Sequence, residues 1–111
     1  MPVLFVDPGR FRTYLVLEAP DLEPDGEGGL TGGWSETAGI YALVEPVSAA
    51  RRFAGDRFVE ETTHRVTLRH RAGVLPGMRF RCRERLFAIR TVHDPDETGR
   101  YLVCLAVEEQ R

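Results

Sequence analysis

The residue types that could do chemistry are few. His64, His70, His93, Cys82 and Cys104 are the only imidazole or thiol groups among the 111 residues. They form neither a CxxC nor an HxxxH pair, so their spacing carries no zinc signature. His70 shares the strand face of Val66 and Leu68 and is read as a satisfied barrel histidine; the two cysteines are read as small core residues. Ser35 and Ser48, the only serines, lie in no nucleophile-elbow context. The pairs Glu60-Glu61 and Glu108-Glu109 are adjacent, so on a strand their carboxylates point to opposite faces and share no proton. All fifteen basic residues are arginine, which removes the P-loop lysine, Schiff-base chemistry and lysine general bases. Coding bias in a GC-rich genome accounts for the missing lysine. The run from Asp25 through Gly26, Gly28, Gly29, Gly32 and Gly33 mimics a dinucleotide fingerprint only superficially. Thr31 stands at the third glycine position, no βαβ unit surrounds the run, and its acids would repel a pyrophosphate. No catalytic residue, cofactor or metal is expected, and the chain reads as a non-enzyme.

The arginines carry the positive signal. Residues 1–50 hold a net charge of −6, residues 51–90 of +7 and residues 91–111 of −3, all concealed in an overall −2. Arg65, Arg69 and Arg71 share one strand face, and Arg79 and Arg81 share a face on the next strand. If those strands pair, they form one arginine-covered wall. That wall is a solvated face with cross-strand ion pairs, a surface for acidic protein loops, or a surface for a phosphate backbone. Copies of the chain packed head to tail could match acidic segments to basic ones. The acidic side of that match is Asp21, Glu23, Asp25 and Glu27, with Trp34 anchoring the far end of their loop against the barrel.

The elements that must position these residues are mostly strands. Alternation and β-branched content mark residues 11–18, 40–44, 63–71, 78–82, 86–92 and 101–107. Turns fall at residues 73–77, at Arg83-Glu84 and at residues 94–99. One short helix is expected at residues 48–54, capped by Ser48 and ended by Gly55. Residues 19–39 read as a long, glycine-rich acidic loop, mobile over residues 21–33. The fold class is mainly β: a small six-stranded β-barrel with one short helix and a long glycine-rich loop, in a single domain over residues 1–111. No apolar run approaches a membrane span, residues 1–11 lack a signal peptide's features, and two cysteines make no disulfide framework. The chain reads as soluble and intracellular.

In order along the chain come Arg12-Thr13-Tyr14-Leu15-Val16-Leu17, the Asp25-Gly26-Glu27-Gly28-Gly29 loop leading to Trp34, and Ile40-Tyr41-Ala42-Leu43-Val44-Glu45-Pro46. Then follow His64-Arg65-Val66-Thr67-Leu68-Arg69, Pro76-Gly77-Met78-Arg79-Phe80, Phe87-Ala88-Ile89-Arg90-Thr91-Val92, the Asp94-Pro95 turn and Leu102-Val103-Cys104-Leu105. This ordered set resembles the phage head–tail joining family, also called head-closure or stopper proteins. Tyr41 stands where that family commonly has tryptophan, and His70 where tyrosine is common. The resemblance implies a small β-barrel assembled into a ring, expected to be hexameric, at the neck of a tailed phage or phage-like particle. It also implies a portal-adaptor protein above, a tail-side protein below, and packaged DNA in the channel without sequence specificity. Such a ring closes the DNA exit and docks the tail, after assembly in the bacterial cytoplasm. A phage, a prophage and a gene transfer agent all fit.

A different class of function stands beside this one. An OB-like barrel binding single-stranded nucleic acid would use the arginines for phosphates and Tyr14, Phe80, Phe87 and Tyr101 as stacking platforms. The net charge of −2 and the core-type positions of several of those aromatics count against it.

Overall fold

A computed structural model describes residues 6–47, 52–54, 57–59 and 62–109, the side chains of residues 52–59 excepted. Among the described residues eight strands follow a 3₁₀ turn at Pro8–Arg10: β1 (Thr13–Pro24), β2 (Leu30–Pro46), β3 (Arg52–Ala54), β4 (Arg57–Val59), β5 (His64–Arg69), β6 (Arg79–Cys82), β7 (Arg85–His93) and β8 (Tyr101–Glu109). Six of them close an antiparallel barrel in the order β1-β2-β5-β8-β7-β6, while β3 and β4 pair separately. Closure leaves the barrel body without open edges.

The barrel interior follows from period-2 alternation. Leu15 and Leu17 point inward from β1, Ile40 and Ala42 from β2, and Val66 and Leu68 from β5. Phe80, Phe87 and Ile89 fill the β6–β7 side, and Leu102, Cys104 and Ala106 the β8 side. Val74 and Met78 reach in from the β5–β6 connection, and the Leu75 amide donates to Met78 Sδ at 3.3 Å. Cys104 is fully buried in this hydrocarbon, which pushes its thiol pKa up to about 12 and leaves it protonated.

Several expectations are corrected here. Residues 19–39 are not a loop. β1 and β2 continue past the barrel as a two-stranded arm, paired in register from Glu18↔Glu36 to Pro24↔Leu30. A bulge at the arm's root leaves Thr37 without a partner in the ladder, and its hydroxyl donates to the Leu17 carbonyl at 3.1 Å. The tip is a five-residue turn in which Asp25 Oδ1 accepts from the amides of Glu27 (2.8 Å) and Gly29 (3.0 Å). Gly26 and Gly28 take left-handed φ angles of 83° and 84° there, which glycine adopts without steric cost. The arm lengthens the molecule to 52 × 38 × 27 Å, with a radius of gyration of 15.8 Å; a compact chain of this length would have about 13 Å.

The helix expected at residues 48–54 is not found where the chain is described. Arg52–Ala54 is strand β3, in antiparallel register with Arg57–Val59, and residues 48–51 lie outside the described residues. Antiparallel pairing overrides the helix propensity of Ala54. β5 stops at Arg69, so His70 lies beyond the strand, exposed, with its amide donating to the Arg100 carbonyl at 2.9 Å. It is not a barrel histidine. No helix among the described residues is long and apolar enough to cross a membrane.

Candidate functional site

The arginine-bearing strands do not pair. β5 lies between β2 and β8, and β6 between β7 and β1, so the two strands face each other across the six-membered ring of strands. The single arginine wall expected from the sequence is therefore split. Arg65, on β5, pairs with Glu45 at 3.3 Å. Arg69 and Arg71 lie at the far end of β5 and just past it, exposed. Among the described residues no carboxylate lies within 4 Å of either.

Arg79 and Arg81, on β6, are gathered with Trp34 into one cluster at the root of the arm. Glu18 and Glu36 are directly opposed across β1 and β2, an arrangement that would be repulsive by itself. Arg81 resolves it by donating from Nε to Glu18 (3.1 Å) and from Nη2 to Glu36 (2.6 Å). Arg79 Nε donates to the other Glu18 oxygen at 2.7 Å, and the Arg79 guanidinium lies 4.1 Å from the centroid of the Trp34 ring. Burial alone would raise the pKa of Glu18, but the hydrogen bonds and charges of the two arginines outweigh it and hold that pKa below the ordinary value. Together these contacts clamp the arm to the barrel wall. Trp34 was legible as an anchor; Glu18, which organises the clamp, was not, because it reads only as the polar end of a strand.

Beyond the clamp, register makes the arm two-faced. Pro20↔Trp34, Leu22↔Gly32 and Pro24↔Leu30 are opposed pairs, so these side chains share one face. That face is apolar, yet Leu22 is 61% and Leu30 67% exposed. Asp21 and Glu23 lie on the other face with Thr31 and Ser35, and Asp21 accepts from the Ser35 hydroxyl at 2.8 Å. The two amide bonds to Asp25 hold its carboxyl below the ordinary range, so the tip stays anionic, with Glu27 beside it. The four acids therefore do not form one patch: two line a face and two crown the tip.

A second polar cluster, unforeseen in the sequence, sits at the opposite end of the barrel. Arg85 forks onto Glu108 at 2.7 and 3.1 Å, and His64 packs edge-on against Phe87 with Nδ1 2.8 Å from the Thr63 hydroxyl. Burial lowers the His64 pKa, more than the Glu108 charge raises it. Among the described residues no group of three or more His, Cys, Asp and Glu side chains could hold a metal ion.

Three comparisons with known proteins bear on this geometry. A search among curated proteins finds none that matches. Among solved structures, a chain from the virion of a native gene transfer agent particle superposes with a TM-score of 0.70 at 28% identity, covering 90% of this chain and 94% of that one. The family profile described as phage head completion protein matches residues 6–109, which takes in the barrel, the arm and the clamp between them. The chain belongs to the phage head completion protein family.

Proposed function

We infer that the chain is a structural component of the head–tail neck of a phage or gene transfer agent particle. The observation that carries this is the clamped arm: a rigid barrel that holds out an amphipathic ribbon whose outer apolar residues, Leu22 and Leu30, stay exposed among the described residues. A soluble monomer gains nothing from such a ribbon, whereas a subunit needs it to reach a neighbour. Family membership and the likeness to a gene transfer agent virion chain support the same reading.

On this reading the barrels form the wall of a ring, taken to be hexameric, between a portal-adaptor protein and a tail-side protein. Packaged DNA passes through the ring without sequence-specific contact. The interface residues are Asp21, Glu23, Asp25, Glu27 and Trp34 on the arm side and Arg65, Arg69, Arg71, Arg79 and Arg81 on the barrel side. Arg79 and Arg81 act indirectly, by fixing the arm's direction. The nucleic-acid alternative is not favoured. Of its four stacking aromatics, Phe80, Phe87 and Tyr101 are buried and only Tyr14 is exposed, so those four form no stacking platform.

The experiment is removal of the gene from a particle-producing strain, followed by electron microscopy. Filled heads without tails, restored to tailed particles by the wild-type chain, are the expected result. Normal tailed particles without the chain would refute the reading.

A further inference from the structure

The arm's bare apolar face must be covered by something, and the barrel carries a groove of matching character. It holds about 480 Å³ and lies between the N-terminal turn and the end of β5. Pro8, Phe11, Ile40 and Tyr41 line it together with Arg69, His70 and Arg71. Its lining thus combines apolar residues with two arginines. Tyr41 is 62% exposed over a ring that tilts against Tyr14 at 5.2 Å between centroids.

We propose that the arm of one copy of the chain lies in this groove of the next copy, with Leu22 and Leu30 against Phe11 and Tyr41 and with Asp21 and Glu23 toward Arg69 and Arg71. The proposal rests on the neck reading and deepens it by naming the two surfaces that join subunits. A ribbon with one apolar and one acidic face meets a groove lined by apolar residues and arginines, so both faces find groups of matching character there. Arginine suits the acidic face, since its planar fork binds carboxylates in two-bonded geometry. The arm cannot fill its own groove while the Glu18–Arg79–Arg81–Trp34 clamp holds it pointing away from the barrel. Arm and groove are different surfaces of one molecule, so the contact is heterologous, and its repetition closes a ring. Pro20 and Pro24, at alternate positions of β1, remove two amide donors from the β1 edge of the arm, which discourages strand-to-strand pairing of arms along that edge.

The test crosslinks the two surfaces. Leu22→Cys and Tyr41→Cys are placed together in a Cys82→Ser background and treated with a short bismaleimide, both as the purified full chain and in assembled particles. The expected product is a ladder of covalent multimers, absent from either single-cysteine variant. It should fall at least tenfold when Leu30→Glu, or Arg69→Glu with Arg71→Glu, is added. Leu22, Leu30, Tyr41, Arg69 and Arg71 are exposed and Cys82 is half-buried, and thermal melting confirms that each variant is folded. Rings or particles that contain the chain but give no ladder would overturn the arm-to-groove contact and leave the neck reading intact. Covalent dimers from Leu22→Cys alone would overturn it in favour of arm-to-arm pairing. Complete particles without the chain would overturn the neck reading itself.

Discussion

Glu18 shows how a buried carboxylate can be kept in an otherwise ordinary barrel wall. Its two oxygens are each taken by a different arginine, at 2.7 and 3.1 Å, so its desolvation is compensated only while both guanidinium groups stay in place. Arg79 is itself mostly buried, whereas the Arg81 side chain keeps about a third of its exposure. Glu18→Gln should therefore cost about 2 kcal/mol, near the lower end for a hydrogen-bonded charge pair. Trp34 is the only tryptophan, so its emission reports the clamp directly: Glu18→Gln and Arg79→Ala should both shift it to the red while the barrel's circular dichroism persists. Titration adds a second expectation. The pKa values of His64, Glu18 and Glu108 are all depressed in the folded chain. Each contribution is then present above the group's unfolded pKa and lost as the pH falls through its folded value. Stability should decline first below about pH 6.5, through His64, and more steeply below about pH 4.3, through the carboxylates. His64→Gln should remove the first step of a melting-temperature profile and keep the second.

Among the elements, the barrel strands were legible because alternation is enforced by burial: Leu15 and Leu17, or Val66 and Leu68, mark one face each, and the pattern ends where the core ends. The arm was not legible, since glycine, proline and acids are poor strand formers and residues 19–33 carry all three. What makes them a ribbon is cross-strand pairing and the Asp25 turn, neither of which leaves periodicity in the sequence. Arg79 and Arg81 do share a strand, but Arg71 falls past the end of β5, and the two sets were placed side by side because β5 and β6 are sequential strands; sheet order, which puts them apart, is not a local property. The tight β6–β7 hairpin yields a prediction at this scale. Arg83, its first loop residue, takes φ 57°, a left-handed conformation that costs a residue with a Cβ roughly 1–2 kcal/mol. Arg83→Gly removes that strain at some cost in unfolded-chain entropy. The expected net gain is about 0.5–1 kcal/mol, seen as a rise of a few degrees in melting temperature.

For the whole molecule, the charge division along the chain becomes a division in space. The acids of the first fifty residues are concentrated on the arm and its clamp, and the basic middle segment supplies β5, β6 and the start of β7. Within one molecule the clamp acids are neutralised by Arg79 and Arg81, so Asp21, Glu23, Asp25 and Glu27 are what remains to act outward. Replacing all four by their amides (Asp21→Asn, Glu23→Gln, Asp25→Asn, Glu27→Gln) keeps the hydrogen-bonding shape of the Asp25 turn, because an amide oxygen still accepts from Glu27 and Gly29. Folding should change by less than about 1 kcal/mol, since exposed charges contribute little individually. Assembly is another matter, because several carboxylates desolvated at one interface act together and long-range attraction speeds encounter. The quadruple variant should therefore show weakened self-association by sedimentation and reduced occupancy of particle necks. Wild-type association should weaken as salt is raised from 0.05 to 0.5 M, over which the screening length falls from about 14 to about 4 Å, while the variant's residual association stays nearly flat. Equal assembly of the two proteins at every salt concentration would assign the contacts to the apolar face of the arm, and leave its acids to repel the DNA or meet the adaptor.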